Sequence, residues 1–454
     1  MKTNSKRRLH GAITKRTVPK VSLCNLPTIL SWLPINDAIR TSILSRGWRY
    51  VWRGHTKLTF DSATMRKHYS NTSFGYGFIN ANEFIARVDT VLRQHSGAEI
   101  EHMEVKHILH NKHAKHVDRW INFAIASRAK ELIIDLNGGF KLSLSREMSH
   151  GIYRDRGEPY SIPPQLFSAD NGPYLQRLEL TSVSLHLPAD FKGFLNLKKL
   201  TLVDVSINDE DVQCMLGRCN LLEFFEIAYC RMVTSLRMPK PLNLLKHLLV
   251  DKCPLLQVIE LNCSPIILEY TGIMVPIRLT STCRLKNILV KFITCQSALD
   301  YMVTGFPSTL PDLETFTLHC KEHKRIILPG KAFIFTHLRH LRLELVLYDQ
   351  VELALHILRS SIMLEKMEIT PRVEIADCDE SRKQLYEREQ YVDGHRVASE
   401  FVCKADHRNV VNALRASFSW GPPLDYRHER VVQRVSRPRC RLSHRHKGCH
   451  RSHP

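Results

Sequence analysis

An apolar frame of the form L-x-x-L-x-L recurs along this chain at nearly constant intervals. It occurs at Leu175, Leu178 and Leu180, at Leu197, Leu200 and Leu202, at Leu222, Phe225 and Ile227, and at Leu245, Leu248 and Val250, with steps of 22, 25 and 23 residues. Each copy continues in register through Val183, Val205, Cys230 and Cys253, and two residues later through Leu185, Ile207, Met232 and Leu255. Leucine is common enough for one match to mean little, but four in near-constant phase are not chance. Alternation in the L-x-L core predicts a short strand with one face inward. A unit of this size cannot bury its apolar face alone, so copies stack and their strands align into one continuous sheet.

This is the leucine-rich-repeat frame, with Cys230 and Cys253 at its Asn/Cys position. Weaker copies stand downstream at Leu285, Ile288 and Val290, at Leu313, Phe316 and Leu318, at Leu338, Leu341 and Leu343, and at Leu364, Met367 and Ile369. Upstream, Ile100, Met103 and Val105, then Ala129, Leu132 and Ile134, fit the same spacing. Segments between strands read as helices or turns: Asn208 is an N-cap ahead of Asp209, Glu210 and Asp211, and Val212, Met215 and Leu216 form one apolar face. Val351, Leu355 and Leu358 repeat that logic. Glycines and prolines between Asn137 and Pro164 predict a long loop.

The expected fold class is therefore α/β: a leucine-rich-repeat solenoid over 95–375, preceded by a small all-helical unit at 21–61 and followed by a charged region at 376–426. Residues 1–20 and the Arg- and His-rich residues 427–454 are expected to be disordered basic tails. The net charge of +20 invites a nucleic-acid role, yet residues 1–20 carry seven Lys or Arg and no acid, and 427–454 carry nine against Glu429 alone. Most of the excess thus sits at the ends, where it can bind polyanions without reading sequence, and no specific nucleic-acid partner is expected. No apolar run is long enough to span a membrane, and no signal-peptide pattern follows the basic N-terminus, so an intracellular protein of nucleus or cytoplasm is expected.

Chemistry finds little support. There is no phosphate loop, dinucleotide fingerprint, nucleophile elbow or H-E-x-x-H pair, so no catalytic residues and no cofactor are expected. The thirteen cysteines form no C-x-x-C pair and read as buried thiols; Cys295 has no His paired with it in sequence. Cys440, His444, His446, Cys449 and His450 have only Leu442 to fold around a metal, so no metal is expected. His107, His110, His113 and His116 recur every third residue, as a solvated helical stripe would. Binding should instead use variable residues beside the repeat leucines: Gln176, Arg177, Lys198, Lys199, Lys246 and His247, whose basic character suggests an acidic target surface.

Residues 26–61 follow a different pattern. Leu26-Pro27, Ile29, Leu30 and Leu33-Pro34 precede Asp37-Ala38-Ile39-Arg40-Thr41-Ser42, then Leu44, Ser45, Trp48, Arg49 and Trp52. The apolar spacing predicts short amphipathic helices interrupted by Pro34 and Gly47, a unit too small to be stable without a neighbour. This stretch resembles the F-box of plant F-box proteins with leucine-rich repeats. Val88–Val105, Val117–Trp120 leading into Leu132–Leu136, and Leu338–Ile369 are similar to the same group, including its FBD-related C-terminal region.

The resemblance implies a substrate receptor of a cullin-RING ubiquitin ligase, not itself an enzyme, with the F-box docked on a Skp-type adaptor and the repeats holding a target protein for ubiquitination. It places Leu26, Pro27, Ile29, Leu30, Leu33, Pro34, Ala38, Ile39, Leu44, Trp48 and Trp52 in the adaptor-binding unit. Only Thr28 separates Leu26-Pro27 from Ile29-Leu30, where the family has a longer spacer, and Gly47 stands where it usually has a basic residue. A first helix cut short removes apolar anchors, and glycine within a helix costs about 0.5 to 1 kcal/mol relative to alanine, so weakened adaptor binding is expected. The alternative is a repeat scaffold whose degenerate F-box no longer joins a ligase.

Overall fold

The computed structural model describes residues 30–62, 64–65, 79–97, 99–138, 157–168, 172–262, 265–279, 285–292, 310, 312–320, 335–345, 361 and 363–371. Both basic tails, the 376–426 region, the helix expected over Val351–Leu358, Cys295 and the Cys440–His450 group lie outside these residues. The helices are α1 (Ile35–Arg40), α2 (Ala81–Gln94), α3 (Ala114–Ala126) and α4 (Asp209–Leu216). The strands are β1 (Lys57–Asp61), β2 (His102–Lys106), β3 (Glu131–Asp135), β4 (Tyr160–Ile162), β5 (Arg177–Thr181), β6 (Val183–Leu185), β7 (Lys199–Val203), β8 (Phe224–Ala228) and β9 (Ser235–Arg237). They continue as β10 (His247–Asp251), β11 (Val258–Leu261), β12 (Ile267–Gly272), β13 (Ile277–Leu279), β14 (Asn287–Phe292), β15 (Thr315–Cys320), β16 (His340–Leu345) and β17 (Lys366–Pro371).

Among the described residues twelve strands form one parallel sheet in the order β1-β2-β3-β5-β7-β8-β10-β12-β14-β15-β16-β17. The order never doubles back, as a solenoid requires. Neighbours pair without slip, so the apolar positions align into two buried rows. Leu178, Leu200, Phe225 and Leu248 lie side by side in one, and Leu180, Leu202, Ile227 and Val250 in the other. A register error of one residue would expose both rows at once, which is why the frame specifies the pairing. Shorter parallel sheets, β4-β6 and β9-β11-β13, form along the returning segments.

One backbone feature recurs at four successive turns. Ser182, Asp204, Tyr229 and Lys252, each directly after a sheet strand, have φ of 56°, 52°, 57° and 49°. Their N–H groups donate to carbonyls at the end of the next strand, those of Val203, Ala228, Asp251 and Thr271. The left-handed step turns the following residue inward, and Val183, Val205, Cys230 and Cys253 are all buried. The register then parts from the sequence frame. Leu185 and Ile207 are buried as expected, but Met232 and Leu255 are exposed, and Val233 and Leu256 occupy the core instead. The later copies take one more residue to return to the core.

Two repeats escaped the leucine pattern because another residue opens each. Pro265, Leu268 and Tyr270 form β12 and its entry, halving the apparent 40-residue gap between Leu245 and Leu285. His55, Leu58 and Phe60 do the same for β1, which pairs with β2 and belongs to the sheet rather than to the helical unit assigned to 21–61.

His55 shows how that unit is attached. Its Nδ1 accepts from Lys57 N–H at 3.2 Å, which leaves Nε2–H to donate to the carbonyls of Leu30 at 2.9 Å and Leu33 at 3.0 Å. His95 Nε2 lies 2.9 Å from the His55 carbonyl, and burial holds the His95 imidazole below its ordinary pKa. Leu30, Ile35, Ala38 and Trp52 are buried in the same continuous core as Leu58 and Phe60. The N-terminal segment therefore covers the open end of the solenoid, a position at which stacked repeats need a polar-faced terminal element.

Candidate protein-interaction surfaces

The N-terminal unit divides into an inward and an outward set. It comprises α1, with Pro34 at its N-cap, and single 3-10 turns at Thr41–Ile43 and Val51–Gly54. Of the residues placed in the adaptor-binding unit, Leu30, Ala38 and Trp52 are buried, while Ile39 and Trp48 pack half-buried against the core. Leu33, Pro34 and Leu44 are exposed. Leu26, Pro27 and Ile29 lie outside the described residues. Gly47 sits in a turn, not a helix, so the helix penalty expected there does not arise.

Sequence spacing did not single out the two most exposed apolar side chains. Ile43 is 87% exposed and Trp32 is 85% exposed, with Leu44 at 66% beside them. The helix ends at Arg40, where Thr41 and Ser42 hydroxyls donate to the carbonyls of Ala38 and Ile39 at 2.6 and 2.5 Å. That early stop carries Ile43 off the inward face that continued helical periodicity would have given it. Large apolar side chains left this open on a unit whose other face is already packed mark an interaction surface.

The second surface is the open face of the large sheet. Arg177 and Lys199 stand opposite one another on β5 and β7, and Phe224 on β8 separates Lys199 from His247 on β10. Gln176, Lys198 and Lys246 lie one residue earlier, at the rim. There the carbonyls of Gln176 and Lys198 each accept two N–H groups of the following strand, and that of Lys246 accepts one from Ile267. The structure thus brings Arg177 and Lys199 together on the face and leaves the other three along its border.

Each of the candidate basic residues on this face already has an anion. Arg177 reaches Glu179 at 2.8 Å and Glu131 at 3.4 Å, and Lys199 reaches Glu179 at 2.9 Å while its ammonium sits 4.8 Å from the Phe224 ring centre. His247 Nε2 is 3.0 Å from Glu269, near enough for an ion pair though not aligned as a hydrogen bond. At the rim Lys246 meets Glu223 at 2.5 Å. The expectation of an acidic target rested on the basic residues alone; Glu179 and Glu269, which pair with them, stand at the middle position of the L-x-L core, and Glu131 and Glu223 lie just ahead of it.

Burial and pairing set the charge state of those glutamates. Hydrogen bonding from His102, joined by Lys106, holds the Glu104 carboxyl at about 2 against the opposing effect of burial. Burial works against the charge of Glu179, but bonds from Lys199 and Arg177 outweigh it and hold its carboxyl below the ordinary value. Glu226 is different. Burial raises its pKa, and its nearest support is the Thr201 hydroxyl, which donates at 3.3 Å.

The described cysteines and the histidine series have structural surroundings. Burial pushes the Cys219 thiol up to about 12 and Cys253 to about 11, which leaves almost no thiolate at neutral pH. The histidine stripe is not a solvated helix face. His107 directly follows β2 and is buried, stacked 4.3 Å from Phe84, with Nε2 at 2.9 Å from the Ile79 carbonyl; His110 and His113 cap a turn; and His116 meets Asp89 at 3.1 Å. Among the described residues no group of three or more potential metal ligands converges.

Comparison with known proteins agrees with this architecture. Residues 91–391 match the family model described as the At1g61320/AtMIF1 LRR domain. The chain is similar to the F-box/FBD/LRR-repeat protein At1g13570 of Arabidopsis thaliana, with 25% identity over 81% of this chain and 79% of that protein. It is also similar to the F-box/FBD/LRR-repeat protein At5g56420 of the same plant, at 26% over 44% of this chain and 41% of the relative. Similarity to the F-box/LRR-repeat protein At5g02910, again from Arabidopsis thaliana, is 29% over 44% of this chain and 36% of that protein.

Proposed function

Because this chain belongs to the At1g61320/AtMIF1 leucine-rich-repeat domain family, we propose that it is a non-catalytic, target-binding subunit of a Skp-cullin-F-box ubiquitin ligase. In this proposal Trp32, Leu33, Ile43 and Leu44 dock on the Skp-type adaptor, and the open sheet face holds the target protein. The observation that carries it is the division of the N-terminal unit: Leu30, Ala38 and Trp52 are fused into the solenoid core while Trp32, Ile43 and Leu44 remain open. Ubiquitin transfer needs a target held at a fixed distance and orientation, and two binding surfaces on one continuous core supply that without any catalytic residue. The site of action is the nucleus or cytoplasm, and neither cofactor nor metal takes part.

The same division favours a second reading, in which the segment persists as an end cap of a repeat scaffold and has left the ligase. Titration of the full-length chain against a purified Skp-type adaptor separates the two. The proposal expects a saturable complex that Ile43→Asp together with Leu44→Asp weakens at least about 30-fold, as loss of two central apolar anchors would. A natural chain that fails to bind, while retaining its cooperative thermal transition, would leave the scaffold reading.

A further inference from the structure

The middle position of each L-x-L core forms a single row across the open face. In register it reads Thr59, Glu104, Ile133, Glu179, Thr201, Glu226, Leu249, Glu269 and Leu289. From β2 to β12 a glutamate thus stands on every second strand, with a residue of no charge between. Strands in a sheet lie about 4.8 Å apart, so successive glutamates recur every ~10 Å.

Charge varies along this row. Glu104 and Glu179 are shared by His102, Lys106, Arg177 and Lys199. Farther along, the face positions of β8, β10 and β12 are Phe224, Glu226 and the buried Ala228, then His247, Leu249 and Asp251, then Ile267, Glu269 and Thr271. These three strands place no Lys or Arg on the face, although the chain as a whole carries +20. Glu226 makes no ion pair among the described residues, and burial raises the pKa of both Glu226 and Asp251. Besides the Lys246–Glu223 pair at the rim, the borders of these repeats carry exposed apolar side chains: Leu221, Leu244 and Ile266 at the strand entries, and Met232, Leu255 and Ile273 beyond the exits.

We propose that this face holds an extended, cationic segment of a target protein lying across the strands, with Lys or Arg at every third residue. A chain in the extended polyproline II conformation has three residues per turn and rises about 3.1 Å per residue, so side chains three apart share one face at a separation of ~9 Å, close to the repeat of the glutamate row. Incoming cations pair with Glu226 and compete for Glu269 and Asp251, whose present partners are His247 at 3.0 Å and Lys252 at 3.8 Å, and the target's apolar side chains meet Phe224, Leu249, Ile267 and the border residues. This deepens the reading of the sheet as the target-binding surface and reverses the acidic target expected from sequence.

The test is fluorescence anisotropy with the full-length chain and two labelled peptides at physiological ionic strength. One peptide repeats Lys-Ser-Thr five times; the other has the same composition with its lysines contiguous. Two partly buried pairs gained by the spaced peptide correspond to about ten-fold tighter binding. The Glu226→Gln, Glu269→Gln double variant should remove that advantage while Glu223→Gln, at the rim, keeps it; unchanged thermal midpoints show that the variants fold. Equal affinity for the two peptides, or indifference to the double substitution, overturns the proposal. Removal of 427–454 adds a third arm, because Arg427 with Arg430 and Arg434 with Arg437 have the same spacing. Binding that emerges only after removal would assign the face to the chain's own tail and also overturn the proposal. No arm contains the adaptor, so failure here leaves the adaptor titration standing, and failure there leaves this result standing.

Discussion

At the scale of single residues, four successive turns of the coil adopt a left-handed backbone where the chain leaves the sheet, and glycine is used at none of Ser182, Asp204, Tyr229 and Lys252. Non-glycine residues in that region are disfavoured by roughly 1 to 2 kcal/mol each. The donated ladder bond and the burial of the next residue offset this. Some of these side chains also contact one another: the Ser182 hydroxyl donates to Asp204 at 2.9 Å, and Lys252 Nζ lies 2.7 Å from the Tyr229 hydroxyl. Asp204→Gly and Asp204→Val both delete the carboxylate, so their difference isolates the backbone. Chemical denaturation should find the valine variant less stable than the glycine variant by about 1 to 2 kcal/mol. Equal midpoints would mean that the turn relaxes to another conformation at no cost.

At the scale of elements, α4 joins successive repeats through its first turn. Asn208 caps it by accepting from Asp211 N–H at 2.8 Å, as the sequence predicted. The added feature is Asp209. Its carboxylate accepts from the Thr234 N–H at 2.7 Å and hydroxyl at 2.6 Å, and from the Ser235 N–H at 3.0 Å and hydroxyl at 2.9 Å, at the start of β9 in the next turn. Burial opposes its charge, yet these four donors hold its pKa below the ordinary value of 3.8. The stabilisation is complete above that value and is lost as pH falls through the lower folded pKa. Asp209→Ala should cost about 1 to 3 kcal/mol in urea denaturation, since it strands two backbone donors. An unchanged midpoint would show that water replaces the carboxylate.

At the scale of the whole molecule, a solenoid has an open core at each end, and here the N-terminal unit closes one of them. Trp52 is the largest side chain it inserts beside β1. Trp52→Ala should destabilise the chain by roughly 3 to 5 kcal/mol through the cavity left behind. Because repeats contact only their neighbours, hydrogen exchange should show protection lost first in β1 and β2 and retained in β14 to β16. Uniform loss along the sheet would instead describe a core that unfolds as one unit. The same continuity makes the proposed adaptor and target surfaces parts of one body, so a change that loosens the cap is also expected to loosen the proposed ligase geometry.

The apolar frame carried the repeat architecture almost unaided, because a period-two strand with one buried face leaves no freedom in which residues point inward. Leu178, Leu200 and Leu248 could be assigned from spacing, and so could the Asn208 cap, whose determinants are local. Repeats opened by His55 and Pro265 were invisible to the same logic, since neither is apolar in the pattern's sense; His55 earns its place through two carbonyls some twenty residues earlier. The exposure of Ile43 and Met232 depended on where a helix stopped and where a return segment lengthened. The glutamate row lay in the sequence all along, one position per repeat. Only strand pairing, which sets residues twenty or more apart side by side, turned those scattered carboxylates into a line and showed which of them the neighbouring lysines and arginines had already neutralised.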